Sequence, residues 1–201
     1  MPRQNVTFFL FPLTNVNLFP STTKPLQIFE ERYIQMIQDA IIKKIPVALC
    51  FVPEGSQEIR PLAGFGYPKV VETRPDGTLL IFIIGAGKVH LDLQNLHSAD
   101  PYLITAGKII HEEYSFLPVS ESKFAILHQV LVRWIKKHVQ NPAQQEIFLR
   151  SLVAPKEIIA AFAAYLVNDY DLQYELMQIH ALENQIQFLY RLLESGELTN
   201  T

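Results

Sequence analysis

Phe11-Pro12-Leu13-Thr14-Asn15-Val16-Asn17-Leu18-Phe19-Pro20-Ser21-Thr22-Thr23-Lys24-Pro25-Leu26-Gln27-Ile28-Phe29-Glu30-Glu31-Arg32-Tyr33-Ile34-Gln35-Met36 is the stretch on which the reading of this chain turns. Its three prolines, Pro12, Pro20 and Pro25, fix φ and cannot donate to a ladder, so they are expected to set where the first strand bends and ends. Phe11, Leu13, Phe19, Leu26, Ile28 and Phe29 supply apolar bulk between them. Just upstream, Phe8-Phe9-Leu10-Phe11 reads as a strand ended by Pro12. Downstream, Ile28 to Lys44 is predicted to be helical, because Tyr33, Met36, Ile37, Ala40 and Ile41 recur at three and four as an amphipathic stripe. Pro46 is expected to stop it. Glu30, near the helix start, suits the helix dipole, and Arg32 can pair with a carboxylate.

Working outward, short β-rich runs follow. Val47 to Val52 is an unbroken apolar run and reads as a buried strand, with Cys50 packed in it as a small hydrophobe. Tyr67 to Glu72 and Thr78 to Ile84 flank Arg74-Pro75-Asp76-Gly77, and Asp-Gly between two such runs is a strong hairpin signal. Gly85-Ala86-Gly87 interrupts as a break or bulge. Val89 to Leu93 resumes, and Pro101 to His111 is a further strand. Strands at this spacing suggest a compact barrel or sandwich rather than a parallel βαβ sheet.

The character then changes. The chain has eight glycines and thirteen prolines, and beyond Pro118 only Pro142, Pro155 and Gly196 remain. The boundary is placed near Leu117-Pro118-Val119, giving a β-rich part, 1–117, and a helical part, 118–201. Four helices are expected in the second part. Ser120 or Ser122 caps the first, whose inner face is Leu127, Val130, Leu131, Trp134 and Ile135. Asn141-Pro142 starts the second, with Gln144 completing a pattern like a capping box. Pro155 starts the third, apolar nearly all round and therefore central. Asp171 caps the last, lined by Leu172, Leu176, Ile179, Leu182, Ile186, Leu189 and Leu193 and ended by Gly196.

Composition narrows the function. Apolar residues make up 49% and charged residues 18%, an ordinary globular balance rather than a disordered one. The net charge of −3 gives no positive footprint for phosphate-driven nucleic-acid binding. Arg133, Lys136, Lys137 and His138 form the one local basic cluster, read as the wet side of a helix. A single cysteine permits no internal disulfide and fits a reducing cytoplasm. No signal peptide and no run long enough to span a bilayer is seen, so a cytoplasmic protein without a membrane partner is expected.

The motifs of catalysis are not met. Gly85-Ala86-Gly87-Lys88 lacks the earlier glycine of a phosphate loop, with Phe82 in its place, and has Val89 where a Ser or Thr belongs. No Gly-x-Ser-x-Gly elbow appears. No pair among the six histidines has zinc-site spacing. His111-Glu112-Glu113 reads as a solvated strand end, because neighbours in a strand point to opposite faces. Neither a cofactor nor a metal is expected, and no catalytic residue is named. In Ala63-Gly64-Phe65-Gly66-Tyr67 the glycines would admit a partner's backbone, leaving Phe65 and Tyr67 either to clamp an apolar side chain or to fill the barrel.

The opening block resembles the N-terminal, substrate-binding domain family of Lon proteases. There a Phe-Pro-Leu strand, a Leu-Phe-Pro turn, a Pro-Leu pair and an Ile-Phe-Glu-x-Arg-Tyr helix start follow in this order and at these spacings. Pro75-Asp76-Gly77-Thr78-Leu79, Gly85-Ala86-Gly87-Lys88-Val89 and Asp100-Pro101-Tyr102-Leu103 agree more loosely. Two positions depart: Ser21 stands where the family has glycine, and Lys88 where it has arginine, which removes a bidentate fork. The resemblance implies an α+β fold, a PUA-like β pseudo-barrel with one inserted helix followed by a C-terminal helical bundle. It also implies a stand-alone, non-enzymatic module, without the ATPase and Ser-Lys protease domains of a full Lon protease. Its partners would be unfolded or tagged polypeptides, with a protease or chaperone as a further partner and a homo-oligomer left open. Read from the residues themselves, Glu30, Arg32 and Tyr33 either belong to core and turn scaffolding or edge a peptide groove. With Phe65 and Tyr67 they are the candidate substrate-binding residues, the expected site is a cleft between barrel and first bundle helix, and an extended peptide adding to a strand edge is one mode. The alternatives are a PUA-like RNA-binding module, which the acidic balance opposes, and a hydrolase with an unrecognised site.

Overall fold

The computed structural model describes residues 5–99, 101–111 and 121–198. The chain divides into two compact units, Met1–His111 and Glu112–Thr201. The expected boundary at Leu117-Pro118-Val119, the cap Ser120 and the pair Glu112 and Glu113 lie outside the described residues.

The first unit runs β1 (Val6–Thr14), β2 (Thr23–Ile28), α1 (Glu31–Lys43), β3 (Val47–Val52), β4 (Leu62–Thr73), β5 (Leu79–Leu91), a short 3-10 turn (Leu93–Asn95), β6 (His97–Ala99) and β7 (Tyr102–Ile110). Strand β1 pairs with β3 in parallel and with β7 antiparallel. Strands β3–β4, β4–β5 and β5–β7 are antiparallel, so the pairing returns to β1 and the sheet closes on itself. This is the expected pseudo-barrel with one helix between its strands.

Strand β5 makes the closure possible by changing partner. Leu79 to Ile84 pair with β2, and Lys88 to Leu91 pair with β7. The change falls at Gly85-Ala86-Gly87. Phe65 lies opposite Gly87 while Gly66 lies opposite Gly85, which leaves Ala86 as the extra residue of a bulge. The strand runs through these residues rather than stopping. The expected hairpin is present: Arg74 donates to Thr78 O at 2.9 Å, Gly77 donates back to Arg74 O, and Gly77 has φ 85.

Alternation divides the core in two. Phe9, Phe11, Val47, Leu49, Ile81 and Ile83 face Met36, Ile37 and Ala40 of α1. Phe8, Leu10, Ala48, Cys50, Ala63, Phe65, Val89 and Leu91 form the second cluster. Both faces of β1 and β3 are therefore buried, which is why their sequences are continuously apolar.

Three expectations of this unit are corrected. Pro12 does not end β1 but pairs with Cys50 inside it. Phe9 donates to Pro46 on the β3 side, so by alternation Pro12 faces the other flank, where pairing with β7 has stopped at Leu10. Its missing donor costs nothing there. The helix starts at Glu31, because Thr23–Ile28 forms β2. It ends at Lys44, which takes a left-handed φ of 55, before Pro46 is reached.

The second unit has five described helices: α2 (Glu121–His138), α3 (Pro142–Ser151), α4 (Pro155–Leu166), α5 (Tyr170–Gln178) and α6 (Leu182–Ser195). Ser122 lies inside α2. Asn141 caps α3 by accepting from Ala143 and Gln144. Helix α4 buries Ile158 to Ala163 and Leu166, as its all-round apolar sequence requires. The expected last helix is two helices, and Asp169 rather than Asp171 caps the first of them. One side-chain device recurs at three corners. Gln145, Gln173 and Gln185 each donate from Nε2 to the carbonyl six residues back, Val139, Val167 and Ile179, at 3.3, 2.7 and 2.7 Å. Each glutamine thus satisfies an orphan carbonyl at the end of the preceding helix.

Candidate functional site

At the start of α1 three of the five expected residues meet. Arg32 Nη2 lies 2.8 Å from Glu30 Oε2, and its guanidinium sits 4.5 Å over the Tyr33 ring. Tyr33 in turn leans on Phe11 at 4.4 Å. Burial pushes the Tyr33 hydroxyl up, Arg32 opposes that shift, and Glu30 adds to it. Glu30 and Arg32 are largely exposed, so their pairing contributes little to stability.

Phe65 and Tyr67 lie elsewhere. The cluster follows the end of β2, whose Ile28 pairs with Leu79, whereas Tyr67 pairs with Ile84 in the row of Thr23. Tyr33 packs against the first core cluster, whereas Phe65 belongs to the second, on the other side of the sheet. The five residues do not converge. Phe65 is 6% exposed and packs edge-on against Phe8 at 5.1 Å, while Tyr67 is 52% exposed.

The glycines around them do admit a close backbone, but it is the chain's own. A Cβ at Gly64 would stand 1.8 Å from Leu18 O, and one at Gly85 would stand 2.1 Å from Phe19 O. The Leu18-Phe19-Pro20 turn thus lies directly against the barrel wall.

Tyr67 belongs to a different feature. Phe65, Tyr67 and Lys69 share one face of β4. At Phe65 that face is covered by the second core cluster; at Tyr67 the cover has ended. On β5 the same face carries Phe82 and Ile84, 38% and 50% exposed, while Ile81 and Ile83 point into the core. In register, Thr23–Ile84–Tyr67 form one cross-strand row and Pro25–Phe82–Lys69 the next. Exposed Val71 adds to the patch, at the register shift between Val70 and Glu72. The result is an apolar outward face on the β2–β5–β4 sheet with one lysine in it, the kind of patch that marks a contact surface. Sequence reasoning missed Phe82 and Ile84 because an unbroken apolar run reads as buried on both faces. The available signal was the antiparallel hairpin, which normally turns one face to water.

The edge of this sheet is a poor template for an added strand. Gly85 donates to Thr22 O, so by alternation Lys24 and Leu26 bond β5 while Thr23, Pro25 and Gln27 face outward. Pro25 removes the donor from the middle of that edge. The opposite edge, β6, is three residues long.

A hollow of about 460 Å³ is lined by Asn5, Pro61, His90, Asp92, Leu93 and Lys108 among others. Asp92 is engaged there: its carboxylate accepts from the backbone and side chain of Asn95, which hold it below the usual carboxylate range. Burial pushes the Cys50 thiol up to about 12, which suits a packing role and not a nucleophile. Among the described residues no group of His, Cys, Asp and Glu is placed to hold a metal ion, and no helix is long and apolar enough to cross a membrane.

The profile of the ATP-dependent protease La (LON) substrate-binding domain matches residues 7–195, nearly the whole chain. The chain belongs to that family. Among solved structures, a Lon N-terminal domain protein from Xanthomonas campestris superimposes with a TM-score of 0.67 at 18% identity, covering 94% of this chain and 98% of that one. The N-terminal domain of the Mycobacterium avium complex Lon protease gives 0.66 at 13% identity, covering 92% and 96%. These likenesses show the Lon N-terminal fold. Among curated proteins none matches the chain. In this Lon-type domain Ser21, directly after Leu18-Phe19-Pro20, takes φ 62.

Proposed function

We propose that this Lon-type domain is a binding module, not an enzyme, and that it holds unfolded or tagged polypeptide segments by their apolar side chains. The observation that carries the reading is the exposed apolar face of Tyr67, Ile84 and Phe82, set in two neighbouring cross-strand rows. Family membership supports it, since the family is a substrate-binding one. Contact is through the face rather than by strand addition, because Pro25 blunts the edge. Lys69, in the row of Phe82, favours segments with a carboxylate near the apolar group. Glu30, Arg32 and Tyr33 form a second, polar contact at the far end of β2, and Phe65, buried in the second core cluster, anchors the stretch of β4 that carries Tyr67. A protease or chaperone that receives the bound chain is the natural further partner of such a module.

Isothermal titration with permanently unfolded, aromatic-rich polypeptides tests this. Saturable heat with a negative heat-capacity change is expected, the mark of apolar burial. No heat with any of several such chains overturns it. Filter binding to RNA that weakens steeply with salt would favour the nucleic-acid alternative instead.

A further inference from the structure

The helical unit has its own cleft, of about 490 Å³, lined by Ile126, Val130, Arg133, Trp134, Lys137, His138 and Leu193. Its size is that of a ligand-binding cleft, about 300–1,000 Å³. The elements that make it are α2 and α6, which pack together. Residues 126, 130, 133, 134 and 137 follow the three-and-four spacing of one helix face. Val130 is buried and Leu193 and Trp134 are half-buried, which gives the cleft an apolar floor. Ile126 is exposed at its lip.

The rim is cationic. Lys136, Lys137 and His138 in the last turn of α2 suit the helix dipole, and that accounts for Lys136. It does not account for Arg133, a turn earlier, nor for the placing of Arg133 and Lys137 beside an apolar hollow. Among the described residues no carboxylate pairs with either. The carboxylates at the end of α6 are engaged elsewhere: Glu194 accepts from Tyr190, and Glu197 accepts from Ser195 at 2.7 Å. Among the described residues this is a positive rim that makes no ion pair, set around an apolar floor.

We infer that the α2–α6 cleft is a second binding site, separate from the sheet face, which takes an acidic peptide segment carrying one bulky apolar side chain. The apolar group fills the floor between Val130, Trp134 and Leu193, and the flanking carboxylates meet Arg133 and Lys137. A peptide fits better than a nucleic acid strand. His138 and Tyr165 already stack on Trp134, at 4.7 and 5.6 Å, so the ring is not an open platform for bases. Two or three cations along a turn and a half of helix also fall short of a track for phosphates.

Trp134 is the only tryptophan of the chain, so its emission reports the cleft directly. The full chain is titrated with a short tryptophan-free peptide, rich in glutamate and carrying a central leucine. A saturable change in emission is expected, weakened by salt. The double variant Arg133→Glu, Lys137→Glu, at two exposed positions, should weaken binding roughly tenfold or more while keeping the far-ultraviolet circular dichroism of the parent. A second variant, Ile126→Ala, should weaken it without altering the salt dependence. The Trp134 emission change should persist with the same midpoint in Phe82→Thr, a variant that weakens the sheet face alone, and this separates the two sites. The inference is overturned by an unchanged emission, by an equal response to a lysine-rich peptide or to oligouridylate, or by a folded double variant that binds as tightly as the parent.

Discussion

The phenol of Tyr102, on β7, donates to the carboxylate of Asp39, on α1, and the same Asp39 oxygen accepts Lys43 Nζ at 2.9 Å. This joins the helix to a strand it does not follow in sequence, while the Tyr102 ring packs on Phe9 at 4.9 Å. Tyr102 and Lys43 hold the Asp39 carboxyl below the usual range. Burial, then Asp39, raises the Tyr102 phenol to about 12.

The two shifts act at opposite ends of the pH scale. A carboxylate with a depressed native pKa contributes stability above its unfolded value, and the contribution is lost as pH falls through the native value. Acid unfolding should therefore draw on Asp39 below about pH 4. A phenol with a raised native pKa contributes below about pH 10 and loses that contribution as pH rises towards 12. Tyr102→Phe should remove the alkaline step, bring acid unfolding to higher pH, and lower the Tm at neutral pH by about 2–6 °C. Circular dichroism melts from pH 2 to about 12 check all three.

Ser21 should be improved by substitution with glycine. It sits at φ 62, donates to Gly85 O at 2.8 Å, and faces a Gly85 amide that donates to Thr22 O. That is the geometry of a bulge whose first residue is normally glycine. A non-glycine residue in this region is strained by about 1–2 kcal/mol. Ser21→Gly relieves the strain but frees the unfolded chain, so a net gain of about 0.5–1 kcal/mol is expected in a urea melt. Ser21→Pro should instead destabilise, because it can neither adopt this φ nor supply the donated bond.

Gly64 should tolerate nothing larger. An added methyl would lie 1.8 Å from Leu18 O, a backbone atom that cannot swing aside. Gly64→Ala should cost about 3 kcal/mol or more. Soluble yield and Tm measure it, with Gly55→Ala as contrast: nothing stands within 4 Å of a Cβ there, and the cost is confined to its φ of 74.

The outward sheet face makes the opposite prediction, binding without stability. Phe82→Thr with Ile84→Thr keeps strand-forming residues while removing exposed apolar surface. The Tm should shift by no more than the equivalent of about 0.5 kcal/mol. Affinity for an aromatic-rich unfolded polypeptide should fall about tenfold or more, by titration calorimetry. Equal affinity in the folded double variant would remove the sheet face from the proposed function.

What was legible in the sequence was what neighbours in sequence decide. The Val47–Val52 strand, the Asp-Gly hairpin and the Asn141-Pro142 helix start all depend on a few adjacent residues, and all stand where expected. The Phe-Pro-Leu to Arg-Tyr block carried the family because its prolines and aromatics are spaced by the turn they build. What depends on a distant partner was not legible. Strand β2 is held by β5, and β1 continues past Pro12 only because β7 has already left that flank. For the candidate site, parity put Phe65 and Tyr67 on one face, but nothing local says where the cover of that face ends. The break between α5 and α6 escaped because Leu176, Ile179, Leu182 and Ile186 keep helical spacing straight across it.

That break, and two others like it, rests on the corner glutamines, and their burial grades the outcome of removing them. Gln173 is buried and donates to Val167 O at 2.7 Å and Ala163 O at 3.3 Å. Val167 is buried as well, so in Gln173→Leu its carbonyl has neither the amide nor water to turn to. Leaving a buried acceptor unsatisfied costs about 1–3 kcal/mol, and the added leucine recovers only part of that. Gln185→Leu, at a buried side chain bonded to half-buried Ile179, should cost less. Gln145→Leu should cost least, because Val139 and Gln145 are both half-buried and water can replace the 3.3 Å bond. Urea melts of the three variants should rank in that order. Equal losses at all three corners would mean that the side chains matter for helix packing and not for the carbonyls they reach.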